Sequence, residues 1–402
     1  MTQKLPQSVV IAGLRRAVMV GDLKSRTRPF YTRRCSRRVR PTSIDSLPNE
    51  LLSDILLRLP ADYLFDTAKL VSRRWCHIIR SREFVHTQVQ KSTYGFILCF
   101  RRTFTCGKPT FLTVTQGRIE TRQFSPIIYL EYFASCNGLA LMYDWTINQS
   151  LQIINPATHE TLALPPHPIR FGYYGRSYGI GYAAASMVYK VIVPYKQHFH
   201  HHLSILTVGV DNSWREVRVE HLHSYATYLL TSDPLVTEGF IHYVGRHIEY
   251  QQQSKHVVTL DVETEILTVS EVEVPLANPG KIRYYLSTGR FLSMLVGCDH
   301  FSWEVWGMES GSGEWSKVLP DIDLRDHKCR LVRQFACGED EVLQPLCWVN
   351  YPEVLALCFR GESRACIFYN LGARRIDSTE LHDSCYLGYS GIVHKNNLKR
   401  LS

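Results

Sequence analysis

The 402-residue sequence lacks a paired-cysteine pattern, a long apolar run, and a net basic charge beyond its first forty residues. Each absence closes off a class of function. None of the twelve cysteines forms a CxxC pair, so there is no zinc signature. Several lie in strand-like text, such as Cys358 within 354–359, where a thiol serves as a small buried hydrophobe in a reducing compartment. The longest stretch free of Asp, Glu, Lys and Arg, 145–159, is largely polar and shorter than the roughly 18 apolar residues a membrane helix needs. HExxH, GxSxG and P-loop patterns are missing, and Gly179-Ile180-Gly181-Tyr182 lacks the third glycine of a dinucleotide fingerprint. With no Gly-Gly and no Trp-Asp pair, neither kelch nor WD repeats are present.

What is there begins with charge. The net +9 is not spread along the chain: residues 1–40 hold eleven Lys and Arg against one acid, Asp22, so the other 362 residues are close to neutral. No basic surface follows for the folded part, and nucleic-acid binding through the arm ranks low, with only Phe30 and Tyr31 to stack on bases. Arg15-Arg16 splits the apolar start, a pattern wrong for a secretory signal. The arm, residues 1–42, fits a transit peptide, a nuclear signal at Arg33-Arg34 and Arg37–Arg40, or a disordered solvated segment.

From 43 to 91 the text is helical. Pro48 suits a helix start and Pro60 a stop. Between them Leu51, Leu52, Ile55, Leu56 and Leu59 spread over an arc of about 140°, wider than the usual core stripe of about 100° and enough for two contacts. Asp62 is placed to cap a second helix, and Leu64, Ala68, Val71, Trp75, Ile78 and Ile79 recur at helical spacing into a third. A unit this small buries too little of itself, and it has no disulfide staple, so a partner protein is the simplest cover for its apolar excess.

Beyond Tyr94 short strand-like runs take over, at 94–100, 138–143, 151–154, 188–193, 203–210, 239–244, 257–260, 291–296 and 354–359. Turn formers such as Asn137-Gly138 and Asn155-Pro156 separate them, and no helix-period segment is expected. Many short antiparallel strands over 94–385 predict an all-β sandwich pair, barrel or propeller, with six or seven blades in the last case. Trp145, Trp214, Trp303, Trp306, Trp315 and Trp348 recur beside these runs as large core anchors.

Two clusters invite chemistry. Cys136 before Asn137-Gly138 could be a nucleophile, but nothing cationic adjoins it in sequence to lower its pKa. His198, His200, His201 and His202 could bind a metal, yet their context reads as a polar hairpin loop with no acidic or thiol ligand beside it. No catalytic residue, cofactor or metal is assigned.

The residues Leu47-Pro48-Asn49-Glu50-Leu51-Leu52, Ile55-Leu56, Arg58-Leu59-Pro60 and Val71-Ser72-Arg73-Arg74-Trp75, with Ile79 and Phe84, resemble an F-box. The resemblance implies a three-helix module that docks on a Skp-family adaptor, which sits on a cullin with a RING subunit. On that match Leu47, Pro48, Leu51, Ile55, Leu59, Pro60, Leu64, Val71, Trp75 and Ile79 contact the adaptor or support the contact. Further on, Ser135–Leu139, Ile154–Thr158, Leu164-Pro165, Tyr189-Lys190-Val191, Ser213-Trp214-Arg215, Glu238–His242, Leu260–Glu265, Trp303–Trp306 and Gly313–Trp315 look like the F-box-associated domain of plant F-box proteins, with Tyr243 where tryptophan is usual.

The expected fold class is α+β as separate domains: a basic arm 1–42, an F-box 43–91, a propeller-like β domain 94–385 and a tail 386–402. The implied function is non-catalytic: substrate recognition in a Skp-cullin-F-box ubiquitin ligase of the nucleus or cytoplasm, the β domain holding a target protein through loop residues such as Tyr173, Tyr174, Arg176, His198 and Phe199. The alternatives are a β-domain module for a small molecule or glycan, and a Skp-binding scaffold outside any ligase.

Overall fold

A computed structural model describes residues 44–92, 94–100, 110–115, 118–123, 130–144, 150–168, 177–198, 200–245, 256–272, 281–309, 312–335, 342–359, 365–380, 389–399 and 401. The chain divides into two compact units, Met1–Arg58 and Leu59–Ser402.

In the first unit a 3-10 turn, Ile44–Ser46, precedes helix α1, Asn49–Leu56. Pro48 stands just outside α1 in extended geometry, and its carbonyl accepts the first intrahelical bond from Leu52 N (3.1 Å). The helix stops three residues before the expected Leu59. Pro60 disfavours helical geometry at the residue before it, and the last turn tightens into a bond from Arg58 N to Ile55 O (3.2 Å).

The second unit opens with α2 (Ala61–Asp66), a 3-10 turn (Ala68–Leu70), α3 (Arg73–Arg80) and α4 (Arg82–Lys91). Three helices were legible from periodicity, and α4 adds a fourth. Ser72 and Ser81 cap α3 and α4 by accepting from Trp75 N and Phe84 N, both at 3.2 Å, which satisfies amide donors that a helix start leaves open.

Six four-stranded antiparallel sheets follow, making a six-bladed propeller. The first blade holds β1 (Tyr94–Phe100), β2 (Thr110–Thr115) and β3 (Arg118–Gln123). The second holds β4 (Leu130–Cys136), β5 (Leu139–Asp144), β6 (Ser150–Asn155) and β7 (Glu160–Ala163). In the third are β8 (Gly179–Ala183), β9 (Val188–Gln197), β10 (His200–Thr207) and β11 (Arg215–Val217). The fourth contains β12 (Pro234–Thr237), β13 (Phe240–Val244), β14 (His256–Asp261) and β15 (Leu267–Glu271). Then come β16 (Arg283–Ser287), β17 (Leu292–Asp299), β18 (Ser302–Met308) and β19 (Trp315–Asp323) in the fifth, and β20 (Leu343–Asn350), β21 (Val354–Phe359), β22 (Ala365–Asn370) and β23 (Arg375–Glu380) in the sixth.

The expectation of a tail from 386 is corrected here. The chain returns as β24 (Tyr389–Lys395), which pairs along all of β1 from Tyr94↔Lys395 to Phe100↔Tyr389 and completes the first blade. The six inner strands β24, β4, β8, β12, β16 and β20 adjoin in a ring. Joining the last strand to the first blade leaves no sheet unpaired at the seam, the same solution to the edge problem that closed barrels use.

The absence of helices in the β region is also corrected. The β11–β12 connection carries α5 (Ser224–Leu229) and the β19–β20 connection carries α6 (Lys328–Phe335). At six and eight residues both are too short for a persuasive period. The expected tryptophan anchors divide. Trp303 and Trp348 are about 1% exposed in the core shared by blades five and six, with Trp348 Nε1 donating to Ser293 Oγ at 2.9 Å. Trp214, Trp306 and Trp315 are partly buried, and Trp145 lies outside the described residues. No helix among the described residues is long and apolar enough to cross a membrane.

Candidate adaptor-binding residues and the two ends of the propeller

The ten residues assigned to the adaptor contact fall into distinct environments. In the first unit, Leu51 is 52% and Ile55 40% exposed, Pro48 is exposed and Leu47 half-buried. Leu52 and Leu56, on the other side of α1, are fully buried. The wide apolar arc thus resolves into one covered and one open face. In the second unit, Val71 is 57% exposed, Pro60 is exposed and Leu59 half-buried, while Leu64, Trp75 and Ile79 are buried. Leu70, at 74%, was not singled out because it lies off the helical spacing, on the 3-10 turn between α2 and α3. Open leucine, isoleucine and valine of this kind each stand to gain about 1.5–3 kcal/mol from full burial.

Strand order fixes the propeller's two ends. Within each blade the turns after the first and third strands lie at one end, and the links after the second and fourth strands lie at the other. The first end is tightly tied. Asn155, with no exposed surface, donates through Nδ2 to the carbonyls of Asn397 (3.0 Å) and Lys399 (2.6 Å), while its Oδ1 accepts from Ala157 N (2.8 Å). Asn397 Nδ2 in turn reaches Asn137 O at 3.2 Å. Gly138 sits there with φ +88°, and a side chain on it would overlap that of Asn397. The second end carries α5, α6 and the β9–β10 hairpin, with Tyr225 and Tyr228 of α5 42% and 43% exposed.

Several motifs that resemble the associated domain turn out to join blades. Arg215 of the Ser213-Trp214-Arg215 motif reaches Glu265 of the β14–β15 turn through two 2.9 Å bonds and Asp211 through one of 3.1 Å. The buried Lys190 meets Glu265 at 2.8 Å and Glu263 O at 3.2 Å. Hydrogen bonds from Arg215 hold the Glu265 carboxyl below its ordinary pKa against partial desolvation, with Lys190 adding to the effect. Trp214 reaches the preceding blade's exit, where its Nε1 donates to Pro165 O at 2.9 Å. Tyr243 fits where a tryptophan is usual: it is fully buried, and its hydroxyl donates to Ser177 O at 3.2 Å.

The two chemical clusters change meaning. Cys136 is buried at the end of β4, and desolvation pushes its thiol up to about 12, so it stays protonated and unreactive at neutral pH. The histidine run is not a loop: His198 occupies the turn at φ +49°, and His200, His201 and His202 belong to β10. Alternation along the strand sends His201 to the face opposite His200 and His202. His202 Nδ1 lies 2.7 Å from Glu216 and its ring stacks on Tyr195, while His201 packs edge-on to Tyr228. Among the described residues no three His, Cys, Asp or Glu side chains converge as a metal site. Tyr173, Tyr174, Arg176 and Phe199 lie outside the described residues.

A helical segment with open apolar side chains thus precedes a propeller whose motifs serve its own assembly. Residues 44–87 match the F-box domain and residues 90–382 match the F-box associated beta propeller domain. The chain belongs to the F-box proteins with an associated beta propeller domain, which implies binding to a Skp-type adaptor and a role in substrate recognition. Its curated relatives include an F-box protein of Arabidopsis thaliana, 27% identical over 74% of this chain and 85% of its own length. A second from that plant is 25% identical over 63% of this chain and 65% of its own. Among solved structures, TolB from Acinetobacter baumannii has a TM-score of 0.43 at 6% identity, covering 80% of this chain and 73% of that one, too distant to carry a function across.

Proposed function

We propose that this protein is the substrate-recognition subunit of a Skp-cullin-F-box ubiquitin ligase, acting in the nucleus or cytoplasm. The observation that carries the reading is the set of open apolar side chains inside the F-box match: Leu51 and Ile55 in the first unit, Leu70 and Val71 in the second. Leu47, Pro48, Leu51, Ile55, Leu59, Pro60 and Val71 meet the adaptor, and the buried Leu64, Trp75 and Ile79 support Leu59, Pro60 and Val71 within the second unit. A target protein binds the propeller end that carries α5, α6 and the β9–β10 hairpin. The chain then contributes proximity alone, raising the effective concentration of target lysines near the charged ubiquitin enzyme while its own side chains do no chemistry.

The test is co-purification of the intact chain with a Skp adaptor and cullin, beside a variant with Leu51→Asp and Ile55→Asp. Both positions are solvent-exposed, so the variant should keep a cooperative melt while losing both partners. Capture of adaptor without cullin would replace the ligase role with a scaffold. Capture of neither by the intact chain would reject the proposal.

A further inference from the structure

We propose that residues 396–399 and Leu401 brace the helices α2–α4 onto the propeller, and that Gln88, Asn396 and Asn155 are positioning residues for ubiquitin transfer. This rests on the ligase reading above for its purpose, though not for its geometry.

After β24 completes the first blade its structural task is done, yet the chain continues through buried contacts on two sides. On the helix side, Leu398 N donates to Gln88 Oε1 of α4 at 2.9 Å, and both residues are buried. Asn396 Nδ2 donates to Asp62 Oδ1 of α2 at 3.3 Å. On the propeller side are the two bonds from Asn155 already described, Asn397 Nδ2 on Asn137 O, and Leu401 N on Glu160 Oε2 at 3.3 Å. Lys399 Nζ lies over the rings of Tyr182 and Tyr189 at 5.8 and 5.7 Å, which carries the grip to the third blade.

Without this segment, the only covalent link from α4 to the propeller is the two-residue step from Lys91 to Tyr94. Ser92 is tied back to α4 through its N on Gln88 O (2.9 Å) and its Oγ on Val89 O (2.8 Å), yet a covalent step this short still has soft backbone dihedrals and does not by itself set the angle between α4 and β1. Five anchoring residues on blades two and three, facing two on the helices, remove that freedom. A receptor that works by proximity needs such a constraint. The fall of effective concentration with linker freedom is steep, and the lysines that can be reached depend on the angle at which the target is offered.

The brace is tested on the full chain by pulsed electron spin distance measurement, with labels on unnatural residues introduced at the exposed Gln90 and Asn212. The combined change Gln88→Ala and Asn396→Ala cuts the helix side, and Asn155→Ala cuts the propeller side. Each should broaden the α4-to-propeller distance distribution at least twofold. In a reconstituted ligase each should also redistribute self-ubiquitination among the chain's lysines while adaptor capture stays unchanged. A mere packing role would move the melting temperature and leave the distance distribution narrow. Narrow distributions in the folded variants overturn the brace, and if the double change prevents folding, Asn155→Ala decides alone. If adaptor capture fails even in the intact chain while distances still broaden, the brace stands and the ligase reading falls.

Discussion

Acid should unlock this propeller through two buried imidazoles. His242 on β13 is fully buried between Thr237 Oγ1 and Thr259 Oγ1, each 2.9 Å away. His394 on β24 is 1% exposed, with Nδ1 2.7 Å from Ser135 Oγ and its ring edge-on to Phe111. Because the Ser135 hydroxyl donates to Leu139 O (3.0 Å), Nδ1 of His394 must carry the proton and donate to Ser135. Desolvation pushes both imidazoles down to about 3 from an ordinary 6.5. Below pH 6.5 the unfolded chain takes up two protons that the folded chain refuses, so stability is full above pH 6.5 and falls as pH drops toward 3. Between pH 7 and pH 5 the loss is about 2 kcal/mol per histidine, or about 4 kcal/mol together. That is a large part of the roughly 5–15 kcal/mol that holds a domain folded. Urea unfolding at pH 7 and pH 5 measures it, on the intact protein and on a variant with His242→Gln and His394→Gln. Carboxylates such as Glu265, with an ordinary value of 4.5 and a lower one here, lose their contribution mainly below this window and do so in both proteins. The variant should therefore lose about 4 kcal/mol less than the intact protein over the two pH units. Equal losses, or assigned His242 and His394 imidazole resonances titrating near pH 6.5 in the folded state, would refute the reasoning.

Gly138→Ala meets both a positive φ and the side chain of Asn397, so it should cost about 2 kcal/mol or more and open residues 396–399 to added protease, read by mass spectrometry. Glu265→Gln leaves the Lys190 ammonium, with 8% of its side chain exposed, without its carboxylate. A loss of about 2–3 kcal/mol in urea unfolding is expected, below the full buried-pair cost because Glu265 is itself partly open. Leu70→Asp with Val71→Asp should abolish adaptor capture while shifting stability by no more than about 0.5 kcal/mol. Cys136 should resist iodoacetamide at pH 8 in the folded protein and react once it is unfolded, as followed by mass spectrometry.

The strands that could be read in advance are those whose apolar residues outnumber their polar ones. Residues 188–193 and 354–359 are buried almost throughout, so their strand character shows as continuous hydrophobicity. Outer strands such as β3 (RIETRQ) and β23 (RIDSTE) carry mostly polar residues and become strands only because a neighbouring strand offers hydrogen bonds. The same holds for β24, whose pairing partner lies almost three hundred residues earlier and leaves no mark in nearby sequence.

The division of roles inside the F-box follows a similar line. Periodicity showed that α1 has an apolar arc too wide for one contact, but Leu51 and Leu52 are chemically identical, and only packing buried one and left the other open. By itself the amino-acid order determined the helix-to-strand change at 91–94, the turns at Asn137-Gly138 and Asn155-Pro156, and the family motifs, because these depend on neighbours within a few residues. Tertiary structure alone decided the six-blade closure and the placing of His200, His201 and His202 on alternate strand faces. It also turned Asn155, Gln88 and Arg215 into joints, because a hydrogen bond between distant residues is specified by where the chain returns and not by the residues beside it.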